Sequence, residues 1–206
     1  MFTGIVRGIG KITEAHHIPG RMRLGVSMEK SLSANVETGA SIAIDGVCLT
    51  VVSTDQNVVH FDVIQETLDR TTLRLLAPHH QVNIERSARL GDEIGGHLLS
   101  GHIYGTAKIF SIEKENNNCV VTLQCAPAWT KYLLPKGYIA LNGASLTLVD
   151  VHKDTGLFTV HLIPETLQRT TFGTKKVGDI ANVELDSQTQ AIVDTIERIY
   201  ANRSTN

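Results

Sequence analysis

Hydrophobic and polar residues alternate in two stretches of the chain, DGVCLTV beginning at Asp45 and NGASLTL beginning at Asn142. Side chains two positions apart in a β-strand lie on the same face, so each stretch predicts a turn followed by a half-buried strand. Cys48 and Thr50 share the polar face of the first strand, and a serine and a threonine share that of the second. The pattern is typical of a hairpin with its polar groups outside, and it also suits a polar ledge for a ligand that is built twice.

These two stretches belong to a longer internal repeat. Four blocks recur in the same order: residues 3–8 with 100–105, Cys48 with Ser145, 61–72 with 160–171, and 82–85 with 181–184. The offset is 97 residues for the first two blocks (145 − 48) and 99 for the last two (161 − 62). A constant order at a nearly constant offset predicts a tandem duplication.

Each copy has the composition of a β domain. Short runs rich in Val, Ile, Leu and Thr alternate with Gly, Asn, Asp and Pro, as in residues 58–63 and 119–125. Several such strands in a module of about a hundred residues predict a small closed barrel or a sandwich. Residues 66–73 and 126–135 predict short helical turns, the first with Leu68 facing inward and the second ended by a proline.

The C-terminal residues follow a helical pattern instead. Ser187, with a glutamine three residues later, predicts a capping box at the helix start. An apolar stripe from Thr189 to Ile199, which includes Ile192 and Ile196, then follows with the 3-4-3 spacing of a coiled-coil seam. The stripe must pack on the chain's own barrel or against copies of itself. Because it is narrow and has charged flanks, we favour an oligomer.

Composition excludes several classes of partner and compartment. Nineteen Lys and Arg against 21 Asp and Glu give a formal charge of −2, which provides no basic field for nucleic acid. No apolar run is long enough to span a membrane, and the N-terminus does not have the pattern of a signal peptide. Three cysteines without paired spacing suit a reducing compartment. We therefore expect a cytoplasmic protein that has neither a nucleic-acid nor a membrane partner.

Histidines are the candidate metal ligands, and they do not suit a metal site. His97 and His102 are five residues apart, so on a strand they would face opposite sides. The pairs at 16–17 and 79–80 lie in loop-like stretches. No metal is therefore expected.

The residues with useful chemistry differ between the two copies, whereas scaffold glycines and threonines agree. His102 stands where the first copy has an isoleucine, Cys48 where the second has Ser145, and Ser41 where the second has Tyr138. Each of these residues alone is commonly a surface or packing residue. Their joint location on or near the ledge strands favours a functional role. Since histidine exchanges protons near neutral pH, His102 is the best candidate for acid–base chemistry.

Six segments resemble the riboflavin synthase family of the alpha-chain type, which is built from lumazine-binding repeats. They are MFTGIV at 1–6, GAS at 39–41, GVCLTV at 46–51, DEIGGHLLSGH at 92–102, SLT at 145–147 and HLIPET at 161–166. The resemblance covers residue 1 to about residue 200. It implies an all-β fold of two tandem six-stranded antiparallel Greek-key barrels with a C-terminal α-helix. The implied domains are 1–97, 98–186, and a helix with its tail at 187–206 that joins three chains into a homotrimer.

The resemblance also implies a reaction. Two molecules of 6,7-dimethyl-8-ribityllumazine exchange a four-carbon unit, one as donor and one as acceptor, to give riboflavin and 5-amino-6-ribitylaminopyrimidinedione. No cofactor is needed. The active site is implied to lie between the first barrel of one chain and the second barrel of a neighbour, and association with lumazine synthase is a further partner that the family suggests.

Matching motif positions carry the family's site residues onto this chain. The implied catalytic residues are Phe2, Ser41, Cys48, His102, Thr147 and Asp186. The implied substrate-binding residues are Gly4, Ile5, Val6, Cys48, Leu49, Thr50, Asp62, Val63, Ile64, Gln65, Glu66, Thr67, Gly101, His102, Ile103, Lys136, Ser145, Leu146, Thr147, His161, Leu162, Ile163, Pro164, Glu165 and Thr166.

We expect His102 to assist removal of a proton from a lumazine methyl group, with Ser41 close by. A nucleophile would then add to the acceptor ring, either water or a hydroxyl held by Thr147, Ser145 or Cys48. Asp186 lies just before the helix, where capping is the ordinary role of an acidic residue. The alternative function is a chromophore protein that binds lumazine or flavin without converting it. The retained polar residues on both ledges favour the enzyme.

Overall fold

The structure is a computed structural model that describes residues 1–115 and 118–203. The first half contains β1 (Gly8–Ile18), β2 (Arg21–Ser27), α1 (Lys30–Ser33), β3 (Ser41–Ile44), β4 (Val47–Asp55), β5 (Val58–Ile64), α2 (Gln65–Arg70) and β6 (Gln81–Arg86). The second half contains β7 (Gly105–Glu115), β8 (Asn118–Gln124), β9 (Tyr138–Leu141), β10 (Ala144–His152), β11 (Leu157–Leu162), α3 (Pro164–Arg169), β12 (Ile180–Leu185) and α4 (Ser187–Arg203). Three 3-10 turns span Thr72–Leu75, Pro127–Tyr132 and Thr171–Gly173.

The strands form two closed antiparallel barrels of six strands each. The first has the order β1-β2-β5-β4-β3-β6, and the second repeats this order from β7 as β7-β8-β11-β10-β9-β12. In both, the second strand pairs with the fifth rather than the third, which is a Greek-key connection. The predicted fold class is therefore confirmed, and closure leaves neither barrel with an open sheet edge.

The duplication extends to irregularities of the sheets. The pairing register shifts after Ile12 and after Val51 in the first barrel, and after Ile109 and Leu148 in the second. Both pairs of positions are 97 residues apart (109 − 12 and 148 − 51). A bulge bends its strand, and here the same bends close both barrels around separate apolar cores.

The barrels meet through two equivalent turns that lie back to back. Gly46 and Gly143 are so close that a Cβ on Gly46 would lie 2.5 Å from the Gly143 nitrogen. The preceding residues, Asp45 and Asn142, have φ angles of 45° and 46° in the left-handed region. Asp45 and Asn142 are both buried, so polar side chains in this interface need hydrogen-bond partners from the protein.

A reciprocal pair of asparagines supplies many of those partners. The Asn83 amide donates to the Asn142 carbonyl, and the Asn182 amide donates to the Asp45 carbonyl, both at 2.9 Å. Each asparagine also accepts a backbone N–H from the other half of the chain, Asn83 from Thr171 and Asn182 from Thr72, both at 2.8 Å. These four bonds, three buried and one part-buried, hold the two barrels in a fixed relative position.

The helical predictions are confirmed in part. Residues 65–75 form α2 and a 3-10 turn with Leu68 buried, as predicted, while residues 127–132 form a 3-10 turn that ends before Pro135. The capping box at Ser187 is wrong by one position: the Thr189 backbone N–H and hydroxyl donate to the Asp186 carboxylate at 2.9 and 2.6 Å. Asp186 is therefore the N-cap, because its carboxylate satisfies amides that the helix leaves free.

The charged side of α4 packs on its own barrel, and its isoleucine stripe does not. Tyr132 donates to Asp194 and Lys131 pairs with Glu197, both at 2.5 Å. Ile192, Ile196 and Ile199 are 48–60% exposed. Among the described residues, no helix is long and apolar enough to cross a membrane.

Candidate active site

The polar faces of β4 and β10, called the first and the second ledge, have the alternation that the sequence predicts. On β4, Cys48 is half-buried and Thr50 exposed, while the aliphatic residues that alternate with them are buried; Ser145 and Thr147 repeat this pattern on β10. Ser41 pairs with Thr50 and Tyr138 pairs with Thr147 across the neighbouring strand. Since paired residues share a face, each ledge is extended by the residue that differs between the copies.

Each ledge is completed by a segment that leads into the other barrel. The Cys48 backbone N–H donates to the Gly101 carbonyl at 2.9 Å, and the Ser145 N–H donates to the Gly4 carbonyl at 2.8 Å. Ile103 packs against the first core, and Val6 is buried in the second. The segments 1–6 and 99–103 thus cross between the barrels, which brings residues far apart in sequence to each ledge.

A cavity of 330 Å³ lies at the first ledge, within the usual size range for a small-molecule site. The His102 side chain is exposed here, and Glu66 and Arg70 form an ion pair at 2.7 Å on α2. The cavity is lined by Val47, Cys48, Glu66, Thr67, Arg70, Thr71, Gly101, His102 and Ile103. The structure therefore brings together the predicted residues Cys48, Glu66, Thr67 and 101–103.

The second ledge contains His97, which the sequence suggests only as a metal ligand and not as a site residue. His97 is 8% exposed, its Nδ1 lies 2.6 Å from the Ser145 hydroxyl, and its ring stacks on Tyr138 with centroids 4.9 Å apart. Burial lowers the pKa of His97, although the charge of Asp186 opposes this effect. In a neutral ring one nitrogen carries the proton and the other is an acceptor, and Nε2 has no partner among the described residues. His97 thus holds the Ser145 hydroxyl through Nδ1, and burial favours the neutral form of its ring.

There are two reasons why comparing the two copies of the repeat does not identify His97 as a site residue. Its counterpart in the first copy would precede Met1, so no difference between copies could point to it. The strand assumed for residues 97–102 is also wrong, because only Leu99 makes a β-bridge there, with Phe2. Strand geometry therefore does not decide whether His97 and His102 could share a metal. The described residues contain no group of three or more His, Cys, Asp or Glu side chains that could hold a metal ion.

Ser41 and Asp186 lie apart from the 330 Å³ cavity. Ser41 lines a different cavity of 610 Å³, together with Arg7, Arg86 and Arg89. The Asp186 carboxylate caps the start of α4. Burial alone would raise its pKa, but the hydrogen bonds from Thr189 outweigh burial and lower it. The residues predicted to be catalytic therefore divide between the barrels, with Ser41, Cys48 and His102 at the first and Thr147 and Asp186 at the second.

Asp62 is held in an ion-paired cluster on the outer face of β5. Arg21 and Arg23 each donate to its carboxylate at 3.0 Å. The bond from Arg23 holds the pKa of Asp62 below its usual value. Its counterpart His161 is exposed on β11, 3.5 Å from the Asn118 amide.

The remaining predicted residues fall into two groups. Buried apolar side chains face the cores and leave only their backbone for a ligand: Val6, Leu49, Val63, Leu146 and Leu162, with Phe2 in a small cluster between the barrels. Surface residues are half-buried or exposed: Ile5, Ile64, Gln65, Lys136, Ile163, Pro164, Glu165 and Thr166. Their side chains remain available to a ligand or a second chain.

Comparison with known proteins identifies the family. The model of the lumazine binding domain matches residues 3–87 and 100–186. The chain is 46% identical over 201 residues to a riboflavin synthase of Chlamydia pneumoniae, covering 98% of both chains. It is also 46% identical over 204 residues to a riboflavin synthase of Escherichia coli (strain K12), covering 98% of this chain and 95% of the relative. This chain belongs to the riboflavin synthase family of lumazine-binding proteins.

Solved structures of another protein have a similar fold. LumP complexed with 6,7-dimethyl-8-(1'-D-ribityl) lumazine aligns with a TM-score of 0.82 and 28% identity, covering 91% of this chain and 100% of LumP. LumP complexed with riboflavin aligns with a TM-score of 0.83 and 29% identity over the same shares. LumP, which shares the double-barrel fold, thus has structures with a lumazine and with riboflavin.

Proposed function

We propose that this chain is a riboflavin synthase, which converts two molecules of 6,7-dimethyl-8-ribityllumazine into riboflavin and 5-amino-6-ribitylaminopyrimidinedione. The observation that carries the proposal is the pair of equivalent ledges with unequal chemistry, Cys48 and His102 on one and Ser145 and His97 on the other. A dismutation needs two related ring sites, one for the donor and one for the acceptor. The riboflavin synthases that share 46% identity with this chain support the same assignment.

In the proposed mechanism, His102 assists removal of the methyl proton, because its side chain lies at the mouth of the first cavity. The hydroxyls of Ser145 and Thr147 on the second ledge are candidates to hold or supply the nucleophile. The ring system stabilises the carbanion by itself, so most of the acceleration would come from holding two substrates in reacting geometry. Such positioning can contribute about 7–11 kcal/mol in favourable cases.

We further propose that the reacting site forms between chains in a homotrimer. The first ledge and Ser41 lie on one barrel, whereas Thr147 lies on the other. The exposed isoleucine stripe of α4 supports assembly through this helix, because an apolar stripe at heptad-like spacing is stabilised by burial against a copy of itself. The three cysteines are free, which suits the proposed cytoplasmic location. Association with lumazine synthase stays a prediction.

One experiment separates the enzyme from the chromophore protein. The purified chain is incubated with the lumazine, and the absorbance of riboflavin is followed with time. Turnover supports the enzyme, a stable bound-lumazine spectrum supports the chromophore protein, and no spectral change contradicts both. The polar residues retained on both ledges favour turnover.

Three substitutions then test the roles of individual residues. His102→Ala and Ser41→Ala should both lower kcat, and His17→Ala, which changes an exposed histidine on β1, serves as the matched control. If both variants kept full turnover while Thr147→Ala abolished it, the proton-transfer step would have to be assigned to the second ledge instead.

A further inference from the structure

A buried carboxylate holds the segment that carries His102. Glu184 on β12 is 6% exposed and accepts the Ser100 backbone N–H at 2.7 Å and the Ser100 hydroxyl at 2.8 Å. The Gly101 N–H lies 3.0 and 3.2 Å from its two oxygens. Hydrogen bonds to an ionised acceptor are about twice as strong as neutral ones, so this single side chain anchors two consecutive residues firmly.

The anchored residues are those that cross to the first ledge. Gly101 has φ 79°, its carbonyl accepts the Cys48 N–H, and a Cβ on Gly101 would lie 2.6 Å from the Cys48 Cβ. The His102 N–H then donates to the Ser100 hydroxyl at 3.2 Å. The backbone on both sides of His102 is thus fixed, since Ile103 packs against the first core.

The first repeat contains the same device on the opposite side. Glu85 on β6 is 4% exposed and accepts the Thr3 N–H at 2.6 Å, the Thr3 hydroxyl at 2.8 Å and the Gly4 N–H at 3.1 Å. The Gly4 carbonyl in turn accepts the Ser145 N–H of the second ledge. Each carboxylate therefore stands in one barrel and orders the segment that completes the site on the other.

We propose that Glu184 is a positioning residue for His102 at the first-barrel site, and that Glu85 has the same role for residues 4–6 at the second-barrel site. This inference rests on the proposed function. Glu184 does not line the 330 Å³ cavity, so it does not touch a ligand bound there and acts through the backbone that it holds. Glu85 lines the separate 610 Å³ cavity of Ser41, and its two oxygens accept the hydrogen bonds of Thr3 and Gly4. If the two glutamates served folding alone, substitution of either would affect turnover in the same way. If they position the segments, only the effect of substituting Glu184 depends on His102.

A double-mutant cycle distinguishes these roles. Glu184→Gln keeps the shape and one acceptor oxygen but removes the charge and the second acceptor, and Glu85→Gln is its matched control. A misplacement of about 1 Å can cost about 10²-fold in rate, so Glu184→Gln should lower kcat by up to this factor. In a chain that already carries His102→Ala, Glu184→Gln should cost almost nothing more, while Glu85→Gln should still multiply the loss. Equal, multiplicative losses for both glutamates would overturn the proposal.

Amide hydrogen exchange provides a readout that does not depend on turnover. Glu184→Gln should speed exchange at Gly101 and His102 and leave Gly4 protected, and Glu85→Gln should do the reverse. Ser100→Ala, which leaves the carboxylate in place and removes one bond, should give a smaller change at the same amides. Faster exchange across both segments in either variant would overturn the proposal, because it would indicate general loosening. A parent chain without turnover would refute the proposed function and leave this exchange test valid.

Discussion

Asp45 at the interface between the barrels offers a sharp test of the energetics. The carboxylate is buried and accepts the Asn83 backbone N–H at 2.8 Å. Its counterpart Asn142 has the same left-handed backbone and accepts the Asn182 N–H at 2.7 Å. The substitution Asp45→Asn therefore keeps the acceptor and the backbone conformation, removes the charge and adds one amide NH2 group.

The free-energy cost of the buried charge follows from the pKa of Asp45. Burial raises it from 3.8 to about 6, although the bond from Asn83 and the charge of Lys175 oppose the rise. At 1.36 kcal/mol per pH unit, ionised Asp45 costs the folded state about 3 kcal/mol. Between pH 3.8 and about 6 the folded chain binds more protons than the unfolded chain, so the free energy of unfolding falls as pH rises through this window. Below and above this pH window, the contribution of Asp45 to the free energy of unfolding does not change with pH.

The side-chain amide introduced by Asp45→Asn also destabilises the folded chain. The Nδ2 of Asn142 is buried and has no partner among the described residues. The same group at position 45 would cost about 1–3 kcal/mol. We therefore expect Asp45→Asn to destabilise the chain near pH 4 and to be neutral or stabilising near pH 7. Across that range, the free energy of unfolding of the variant relative to that of the parent should rise by about 3 kcal/mol.

Urea unfolding at a series of pH values from 4 to 8 measures this difference. Far-UV circular dichroism follows both barrels, and the fluorescence of Trp129, the single tryptophan, follows the second. Other buried acids titrate equally in both proteins and cancel. Asn142→Asp is the converse control and should lose stability as pH rises. Parallel curves for parent and Asp45→Asn would refute the assigned cost of the buried charge.

Three further substitutions test other features. Asp186→Ala should lower the free energy of unfolding by about 1 kcal/mol, because it removes the cap on Thr189, and a fall in kcat without any loss of stability would contradict this role. Ile196→Asp should convert the proposed trimer into monomers in analytical ultracentrifugation, and an unchanged mass would exclude the isoleucine stripe as the interface. Ser145→Ala should cost about 1–3 kcal/mol in chemical denaturation, because buried His97 loses its partner, and an unchanged midpoint would contradict that hydrogen bond.

Most of the fold could be predicted because the duplication repeats every signal. The alternation at Cys48 and Thr50 gave the correct faces of β4, and its copy gave those of β10. The start of α4 was misplaced because Ser187 and Asp186 are both good capping residues, and only the geometry shows which one accepts the Thr189 amide.

The site was harder to predict than the fold. Cys48 and His102 were found and do share a cavity. His97, Glu85 and Glu184 were not found, because their roles depend on hydrogen bonds between residues 48–84 positions apart. No local pattern in the sequence reports such contacts. Comparison of the copies detects residues that differ, and the two glutamates are the same in both.

The crossing segments 1–6 and 99–103 connect each ledge to the opposite barrel through hydrogen bonds. A ligand on the first ledge contacts a backbone that Glu184 ties to the second barrel, and a ligand on the second contacts one that Glu85 ties to the first. Any change in the order of either segment is therefore felt on both barrels. By linkage, if occupation of one ledge alters affinity at the other, the effect must be equal in the reverse direction.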